Sequence, residues 1–273
     1  MTYQAAPALL DDLDTYYDAV PRSSARTEDF GPLTLFVQEG AGWPYYGRPT
    51  LGWSGQVEAA DVDRVRARQR ELGAPESFEW VAETAPALRA AVEASGLTVH
   101  AYPLMVLDAD APAPPTADLS ARIVTARDEA LASAVAVPHL AFAEPGTGVG
   151  TAGLAELATM VRTCVDNGSV ARVAGRIEAG LTVVAAAVSD GSALCAGQHQ
   201  PVGEVSEIVG VGTLPSARRR GLGLAVTAAL VADARSRGIR TVFLSAGDAD
   251  VARMYARLGF RQIATALIAE PAE

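Results

Sequence analysis

Several residue types are scarce in this chain, and their scarcity excludes some classes of protein. The two cysteines, Cys164 and Cys195, fit reduced, buried thiols better than a disulfide framework. The three histidines are scattered without the spacing of metal ligands, so we expect no metal site. No run approaches the ~18 apolar residues of a membrane span, and no secretory signal is visible. These absences predict a soluble, cytoplasmic protein without a membrane partner.

Positive charge is also scarce. The chain has 22 basic and 32 acidic residues, which gives a net charge of −10. Because nucleic-acid binding needs a basic face, we expect no nucleic-acid partner. The densest positive spot is Arg218-Arg219-Arg220, which suits a small polyanionic ligand. The acidic remainder would suit a cationic acceptor such as an amine.

The length of 273 residues and a hydrophobic fraction of 49% suit two domains with ample cores. Residues 108–117 are rich in proline and lack periodicity, which is typical of a linker. We therefore place a first domain at residues 1–110, a linker at 111–119 and a second domain at 120–273.

Apolar periodicity and Gly or Pro punctuation predict alternating strands and helices in the second half. The elements that matter below are a helix over 128–137 interrupted by Pro138, a helix over 154–166, a short strand around 170–177, a strand over 205–213, a helix over 221–237, a strand over 241–246, a helix over 248–258 and a final strand over 261–269.

Residues 207–224 read as a strand, a basic turn and the start of a helix. Gly210 and Gly212 interrupt the strand, which often marks a bulge or a place where a ligand approaches the backbone. Pro215 ends the pairing because it has no N–H to donate. Free N–H groups at the following helix start, together with the helix dipole, favour an anion. The stretch predicts a phosphate cradle.

Two other phosphate-binding motifs fit this stretch poorly. Gly210-x-Gly212-x-x-Pro215 has proline in place of the third glycine of a dinucleotide fingerprint, and no parallel βαβ array surrounds it. A P-loop fails because no Gly-Lys-Ser/Thr follows.

The run from Thr213 to Gly223 resembles the acyl-CoA-binding motif Arg/Gln-x-x-Gly-x-Gly/Ala of the Gcn5-related N-acetyltransferase (GNAT) family. Residues 248–260, with Tyr255 four residues before Gly259-Phe260, resemble the final helix of the same family. The resemblance covers the second domain. It implies an α/β fold of α+β layers, in which helices flank a mixed, mostly antiparallel sheet.

The first half repeats part of this layout. Residues 78–97 follow the strand-helix-Gly-apolar order of 242–260, and aligning Gly96 with Gly259 puts Val92 where Tyr255 stands. No Arg-x-x-Gly-x-Gly occurs in this half. We infer a tandem of two GNAT-like domains, the first degenerate and without a cofactor. A chance strand-helix-strand similarity is the alternative.

The resemblance implies acetyl-CoA as co-substrate and no metal. Its pantetheine arm would pair with the backbone of Val211, Gly212 and Thr213. Its pyrophosphate would lie in the turn formed by Arg218, Arg219, Arg220, Gly221, Leu222, Gly223 and Leu224. An ordinary strand–helix turn with exposed arginines is the alternative.

Two residues are candidates for acid–base catalysis. Tyr255 would protonate the departing thiolate, since a phenol pKa of about 10 lies near a thiol pKa of about 8.5, and the resemblance implies the same role; packing on a helix face is the alternative. Glu207 lies 11 residues before Arg218, and the resemblance implies a base there, because histone-acetyltransferase-like members of the family use a strand glutamate at this spacing. It would deprotonate the acceptor through one water; a strand carboxylate that faces solvent or a neighbour is the alternative. Weaker candidates for the base are Glu204, Glu144, His139 and His199. No Ser-His-Asp arrangement is evident.

These features predict an acetyl-CoA-dependent N-acetyltransferase that moves an acetyl group directly to an amine of a small molecule or peptide. A non-catalytic acyl-CoA-binding regulatory module and an O-acetyltransferase are the alternatives. The sequence leaves open the acceptor, the role of the N-terminal domain and the oligomeric state, a homodimer included.

Overall fold

The computed structural model describes residues 7–39, 46–107, 111 and 121–272. By packing, the chain divides into two compact units. The first unit contains the described residues up to Leu104 together with those from Gln262 onward, and the second unit runs from Met105 to Arg261.

Three helices accompany the strands of the first unit. The elements are α1 (Pro7–Ala19), β1 (Ala25–Asp29), β2 (Leu33–Gln38), β3 (Gly47–Pro49), α2 (Ala59–Glu71), β4 (Phe78–Val81), α3 (Leu88–Ala94), most of β5 (Leu97–Leu107) and most of β11 (Phe260–Pro271). Their order is β1-β2-β3-β4-β11-β5. The pairs β1–β2, β2–β3 and β4–β11 are antiparallel, and β3–β4 is parallel.

The second unit alternates strands with longer helices. Its elements are β6 (Ala121–Val124), α4 (Leu131–Ala143), α5 (Leu154–Asp166), α6 (Ser169–Glu178), β7 (Val183–Ser189), β8 (Ser192–Val202), β9 (Val205–Thr213), α7 (Leu222–Ser236), β10 (Thr241–Ser245) and α8 (Ala249–Ala256). Their order is β10-β9-β8-β7-β6. Only the β9–β10 pair is parallel.

Each unit buries an apolar core of its own. In the first, Val65 of α2 and Val92 of α3 pack with Phe78 and Trp80 of β4. In the second, residues of β7 and β8 pack with helices α4 and α7 on a core that includes Tyr255. Both cysteines are buried and unpaired, as predicted.

The prediction of a strand around residues 170–177 is wrong, because this segment lies in helix α6. Its β-branched residues Val170, Val173 and Ile177 favoured a strand. With Ala174, however, they recur at i, i+3, i+4 and i+7, the spacing of one helix face. These apolar residues pack against the second core.

Pro138 does not interrupt its helix. Helix α4 continues through Pro138 to Ala143. Proline lacks an N–H, so one intrahelical hydrogen bond is missing at this point. Burial of Ala136, Val137 and Ala141 around it anchors the helix on the sheet.

Strand β9 has the predicted bounds, and α7, β10 and α8 lie within two residues of theirs. The domain boundaries stay a prediction. The packing division assigns β11 largely to the first unit, and the predicted linker lies outside the described residues except for Ala111.

Candidate functional site

Strand β9 bends and separates from β10 in the middle of the second unit. The parallel pairing of β9 with β10 covers only residues 205–207 and 241–243. On its other edge β9 pairs with β8, where the register shifts between Ala196 and Gln198. Gly210 at this irregularity has a φ of +64°, as expected for a glycine bulge. The predicted bulge is confirmed, and residues 208–213 have no β10 partner within the described chain.

Gly212 has a packing role in addition to its predicted one. A Cβ placed there would lie 2.9 Å from Ala141 Cβ and 2.9 Å from Pro138 Cα. Contacts this short leave no room for a side chain, so only glycine lets α4 approach β9 this closely. Pairing of a ligand with the backbone of Gly212 stays a prediction.

The backbone N–H groups of residues 219–224 are the main feature of the turn before α7. Arg219 and Gly221 are left-handed, with φ of +66° and +77°, and no side chain caps α7. No acceptor for the N–H groups of 219–224 is found among the described residues, since Ala225 is the first to bond back, to Gly221 O at 3.2 Å. Arg219 and Arg220 are exposed. This arrangement fits an anion at a helix N-terminus.

The strained residue of this turn is Arg219. A non-glycine residue in the left-handed region costs roughly 1–2 kcal/mol. In the described chain Asp190 is the only other such residue. Strain of this kind is concentrated at functional sites.

The predicted ligands Leu222, Gly223 and Leu224 form the first turn of α7. Leu222 is buried in the second core. A Cβ on Gly223 would lie in ordinary contact with Met254 of α8 and with Thr213 Oγ1, at 3.7 and 3.8 Å. The first turn of α7 therefore lies close to Thr213 of β9 and Met254 of α8.

The Arg218 guanidinium contacts protein carbonyls. It donates to Ala141 O at 2.9 Å, to Gly148 O at 3.3 Å and to Glu144 O. These acceptors lie at the end of α4 and in the loop that follows. Arg218 thus adjoins the N–H groups of the turn while its side chain binds elsewhere.

Tyr255 lies on α8, which Asp248 caps as predicted by accepting from Val251 N at 2.8 Å. Burial raises the pKa of the Tyr255 phenol, Cys195 nearby adds to the rise, and a hydrogen bond with Thr227 opposes it. Thr227 in turn donates to Gly223 O at 2.8 Å. The phenol therefore stays protonated well above neutral pH.

Cys195 and Thr213 lie beside this tyrosine. Thr213 Oγ1 donates to Cys195 Sγ at 3.2 Å. Burial raises the pKa of the Cys195 thiol to about 12, although the bond from Thr213 opposes the rise. The thiol is thus protonated and unreactive at neutral pH. Residues of β8, β9, α7 and α8 meet at this point.

Glu207 is half-buried and is the last residue of β9 that pairs with β10, opposite Phe243. The alternation of β9 points Glu207 away from the face that carries Ser206. The weaker candidates for the base are dispersed. His139 and Glu204 are exposed, and the Glu144 carboxylate accepts from Thr151 N at 2.9 Å and from Ala152 N at 3.3 Å.

One constellation went unrecognised in the sequence. His199 on β8 hydrogen-bonds Ser206 Oγ through Nδ1 at 2.8 Å and Asp233 Oδ2 through Nε2 at 3.0 Å. Burial lowers the pKa of His199, although Asp233 opposes the shift. The neutral ring would accept from Ser206 and donate to Asp233. Because Ser206 is fully buried, this chain joins β8, β9 and α7 and offers no nucleophile.

Two general findings concern the described residues. No group of three or more His, Cys, Asp or Glu side chains in them could bind a metal ion. None of their helices combines the length and apolarity needed to span a membrane.

Comparison with known proteins gives a family match for this region. Residues 184–268 match the model of the FR47-like protein family. The match covers less than half of the chain, but it includes the bulged strand, the turn and Tyr255. No curated protein sequence matches the chain.

Solved structures match over nearly the whole chain. A GCN5-related N-acetyltransferase from Kribbella flavida is 22% identical, with a TM-score of 0.71 and coverage of 98% of each chain. A GCN5-related N-acetyltransferase-like protein from Streptococcus suis is 12% identical, with a TM-score of 0.51 and coverage of 97% and 99%. A tandem GNAT protein from the clavulanic acid biosynthesis pathway is 14% identical, with a TM-score of 0.53, and the match covers 88% of this chain and 79% of that one.

These likenesses establish the class of fold, an α/β architecture in which helices flank mixed, mostly antiparallel strands. Within this class, the fold is that of the Gcn5-related N-acetyltransferases, and a tandem GNAT protein is among the matching structures. The resemblance that the two motifs predicted is thereby confirmed.

Proposed function

We propose that this chain is an acetyl-CoA-dependent N-acetyltransferase whose active site lies in the second unit. The observation that carries the proposal is the arrangement of β9 and α7. An open strand edge at 208–213 leads directly into six consecutive N–H groups, at 219–224, without protein acceptors. A long ligand with an amide-containing arm and a phosphate end fits both features.

The first feature suits the pantetheine arm. Amides in an extended ligand can pair with an open strand edge as an added strand would. Val211, Gly212 and Thr213 offer this edge beyond the bulge at Gly210. The thioester end would then lie near the place where β9 and β10 separate, close to Glu207.

The second feature suits the pyrophosphate. Backbone N–H groups at a helix start, the helix dipole and two exposed arginines all favour negative charge. The residues that would bind it are Arg219, Arg220, Gly221, Leu222, Gly223 and Leu224. The motif also predicts Arg218 as a ligand, but its guanidinium donates instead to carbonyls of residues 141, 144 and 148.

Transfer requires two proton movements. The acceptor nitrogen attacks the thioester carbonyl, a C–N bond forms and the C–S bond breaks. Glu207 takes the proton lost by the amine, directly or through water, and Tyr255 supplies a proton to the departing thiolate. The raised pKa of Tyr255 keeps the donor protonated, although it widens the gap to the pKa of a free thiol.

The second candidate is a non-catalytic acyl-CoA-binding module. The observation that favours it is the burial of Tyr255 in the second core, with its ring centroid 6.0 Å from that of Phe260, since a tyrosine packed in this way can serve the core alone. Such a module would bind acetyl-CoA and release no CoA with any acceptor.

Release of CoA thiol from acetyl-CoA in the presence of a panel of amines tests the proposal. All 22 basic residues of the chain are arginine, so it has no lysine amine to be acylated and added acceptors give the signal. Mass spectrometry of the product would distinguish an amide from an ester, the product of an O-acetyltransferase. Binding of acetyl-CoA without release for any amine would support the module, and absence of binding would contradict both.

A further inference from the structure

The Arg218 side chain occupies a position that its motif does not explain. In a phosphate-binding role its guanidinium would reach the anion. Here it donates to the carbonyls of Ala141, Glu144 and Gly148. Two of these acceptors are at the C-terminal end of α4, where unpaired carbonyls favour a cation.

The segment that Arg218 contacts, residues 141–153, is fastened to the same turn at other points. Gly150 N donates to Pro215 O and Ser216 N donates to Ala152 O, both at 3.0 Å. Within the segment, the Glu144 carboxylate accepts from Thr151 and Ala152. We call residues 141–153 the latched loop.

Glycine at position 150 makes this closure feasible. A Cβ there would lie 1.7 Å from Glu144 Oε1 and 2.8 Å from Pro215 Cβ. Any side chain at position 150 would force the Glu144 carboxylate or Pro215 to move. The latched loop is therefore closely fitted to the residues that precede the phosphate turn.

The latched loop and its flank expose apolar side chains. Phe142 is 59% exposed, Val149 66% and Leu154 61%, and they are half of the large hydrophobic residues exposed in the described chain. Apolar side chains gathered on one surface segment indicate contact with an apolar partner or ligand. A shift of this loop would therefore move the apolar side chains that it carries.

From this geometry we infer that Arg218 is a positioning residue that links occupancy of the acetyl-CoA turn to the latched loop. The inference rests on the proposed function. The peptide of residue 218 leads into the N–H groups of 219–224, while its guanidinium binds the loop. An anion that orders the turn would therefore tighten the loop, and the N–H groups with Arg219 and Arg220 would supply the phosphate contacts. An acceptor amine with an apolar body would meet a surface set in place by the bound co-substrate.

Arginine suits this role for a geometric reason. Its planar fork presents several donors in fixed directions, so one side chain can bridge three carbonyls. Lysine keeps the charge but offers a single ammonium that cannot span them. Arg218→Lys therefore separates positioning from phosphate binding, since a phosphate contact would largely survive this change.

Hydrogen exchange of residues 141–153, measured with and without acetyl-CoA, tests the link. In the wild type we expect acetyl-CoA to slow exchange in this loop. In Arg218→Gln and Arg218→Lys we expect ligand-free exchange to rise at least ~5-fold and the protection by acetyl-CoA to be lost, while affinity changes less than ~3-fold. Arg220→Gln is the matched variant and should weaken acetyl-CoA while leaving loop exchange as in the wild type.

The outcomes separate the two proposals. If both Arg218 variants bind acetyl-CoA as weakly as Arg220→Gln or more so, with loop exchange unchanged, Arg218 is a phosphate ligand and the link is wrong. If the wild type does not bind acetyl-CoA, the proposed function itself fails. Should Arg218→Gln not fold, Arg218→Lys and Gly150→Ala remain, and each should open the loop without removing the phosphate contacts.

Discussion

Two segments of the chain share one layout, and only one of them has the features of an active site. Helix α2, Gly73, β4, α3, Gly96 and β5 follow one another as do α7, Gly238, β10, α8, Gly259 and β11. All four glycines are left-handed, with φ of +63°, +87°, +80° and +93° in chain order. The repeat inferred from residues 78–97 thus extends back through a further helix.

The first helix of each segment shows where the two diverge. The N-cap of α2 is Glu58, whose N–H donates to Asp61 Oδ2 at 2.9 Å, so carboxylates occupy the start of this helix. Helix α7 has no acidic residue in its first turn and no side-chain cap. At the start of α2, the chain's own carboxylates balance the positive end of the helix dipole. At the start of α7 this end remains available for an anion from outside the chain.

The second helix differs at one side chain. Val92 on α3 and Tyr255 on α8 stand at equivalent places before their glycines, and both are buried. Only the tyrosine adds a hydroxyl to the site. Under the proposed function, the second segment would differ from the first by an uncapped helix start and one hydroxyl, with no change in layout.

The largest expected effect concerns that hydroxyl. Tyr255→Phe should lower kcat by ~100-fold or more, because general-acid catalysis contributes about 10²–10⁴-fold, with acetyl-CoA affinity retained. Steady-state CoA release with a productive amine and calorimetry would measure both. Tyr102→Phe removes the same atom from the half-buried Tyr102 and should leave the rate unchanged. An unaltered rate in Tyr255→Phe would exclude Tyr255 as the acid.

Copying the acidic helix start of α2 onto α7 should weaken cofactor binding. Leu224 stands at the third position of α7, as Asp61 does in α2. Leu224→Asp should raise the Kd for acetyl-CoA at least ~10-fold, since a carboxylate would repel phosphate and occupy the free N–H groups. Leu224→Asn loses the same packing without the charge, and equal affinities in the two variants would contradict the assignment of the turn.

The third prediction concerns the pH dependence of stability and compares a histidine of each unit. Burial lowers the pKa of His199. As the pH falls, the unfolded chain therefore protonates this histidine before the folded chain does. The free energy of unfolding should therefore fall as pH drops below the unfolded value of about 6.5, by up to ~1.4 kcal/mol per pH unit.

In His199→Gln this part of the pH slope should vanish, whereas it should persist in His100→Gln, because His100 is 44% exposed. Urea unfolding between pH 5 and 7.5 would measure it. Equal slopes in the wild type and His199→Gln would show that the folded protein protonates His199 freely.

The smallest effect compares the two glycines that end the second helices. Gly96→Ala and Gly259→Ala both place an alanine in the left-handed region and should cost about 1–2 kcal/mol. A Cβ at Gly259 would also lie 3.2 Å from Leu107 Cδ1, whereas at Gly96 nothing lies within 4 Å. Gly259→Ala should therefore cost ~0.5–1 kcal/mol more, as measured by urea unfolding; equal costs would mean that Leu107 yields freely.

Local features were accessible from the sequence. Gly, Pro and the apolar pattern set the bounds of β9 and α7, and Gly210 indicated the bulge, because these residues act on the backbone within a few positions. The strand prediction for residues 170–177 is wrong for a local reason as well. It gave more weight to the β-branched residues than to their helical spacing. The helix-breaking tendency of proline predicts an end at Pro138, whereas burial on both sides keeps α4 continuous.

Long-range contacts were not accessible. Arg218 bonds to carbonyls 70 to 77 residues earlier, and His199 meets Asp233 across 34 residues. A motif gives the residue type that chemistry needs, but the direction of a long side chain depends on which elements pack around it. The predicted phosphate role of the Arg218 guanidinium rested on the motif alone.

The open edge of β9 also bears on strand pairing between copies of the chain. Unpaired strand edges serve as templates for strands of other molecules, and proteins commonly protect them with bulges and charged side chains. β9 has the bulge at Gly210, and the exposed Arg219 and Arg220 follow shortly after its end. The same features that would make the strand edge suitable for a ligand would thereby also disfavour strand pairing with another copy of the chain.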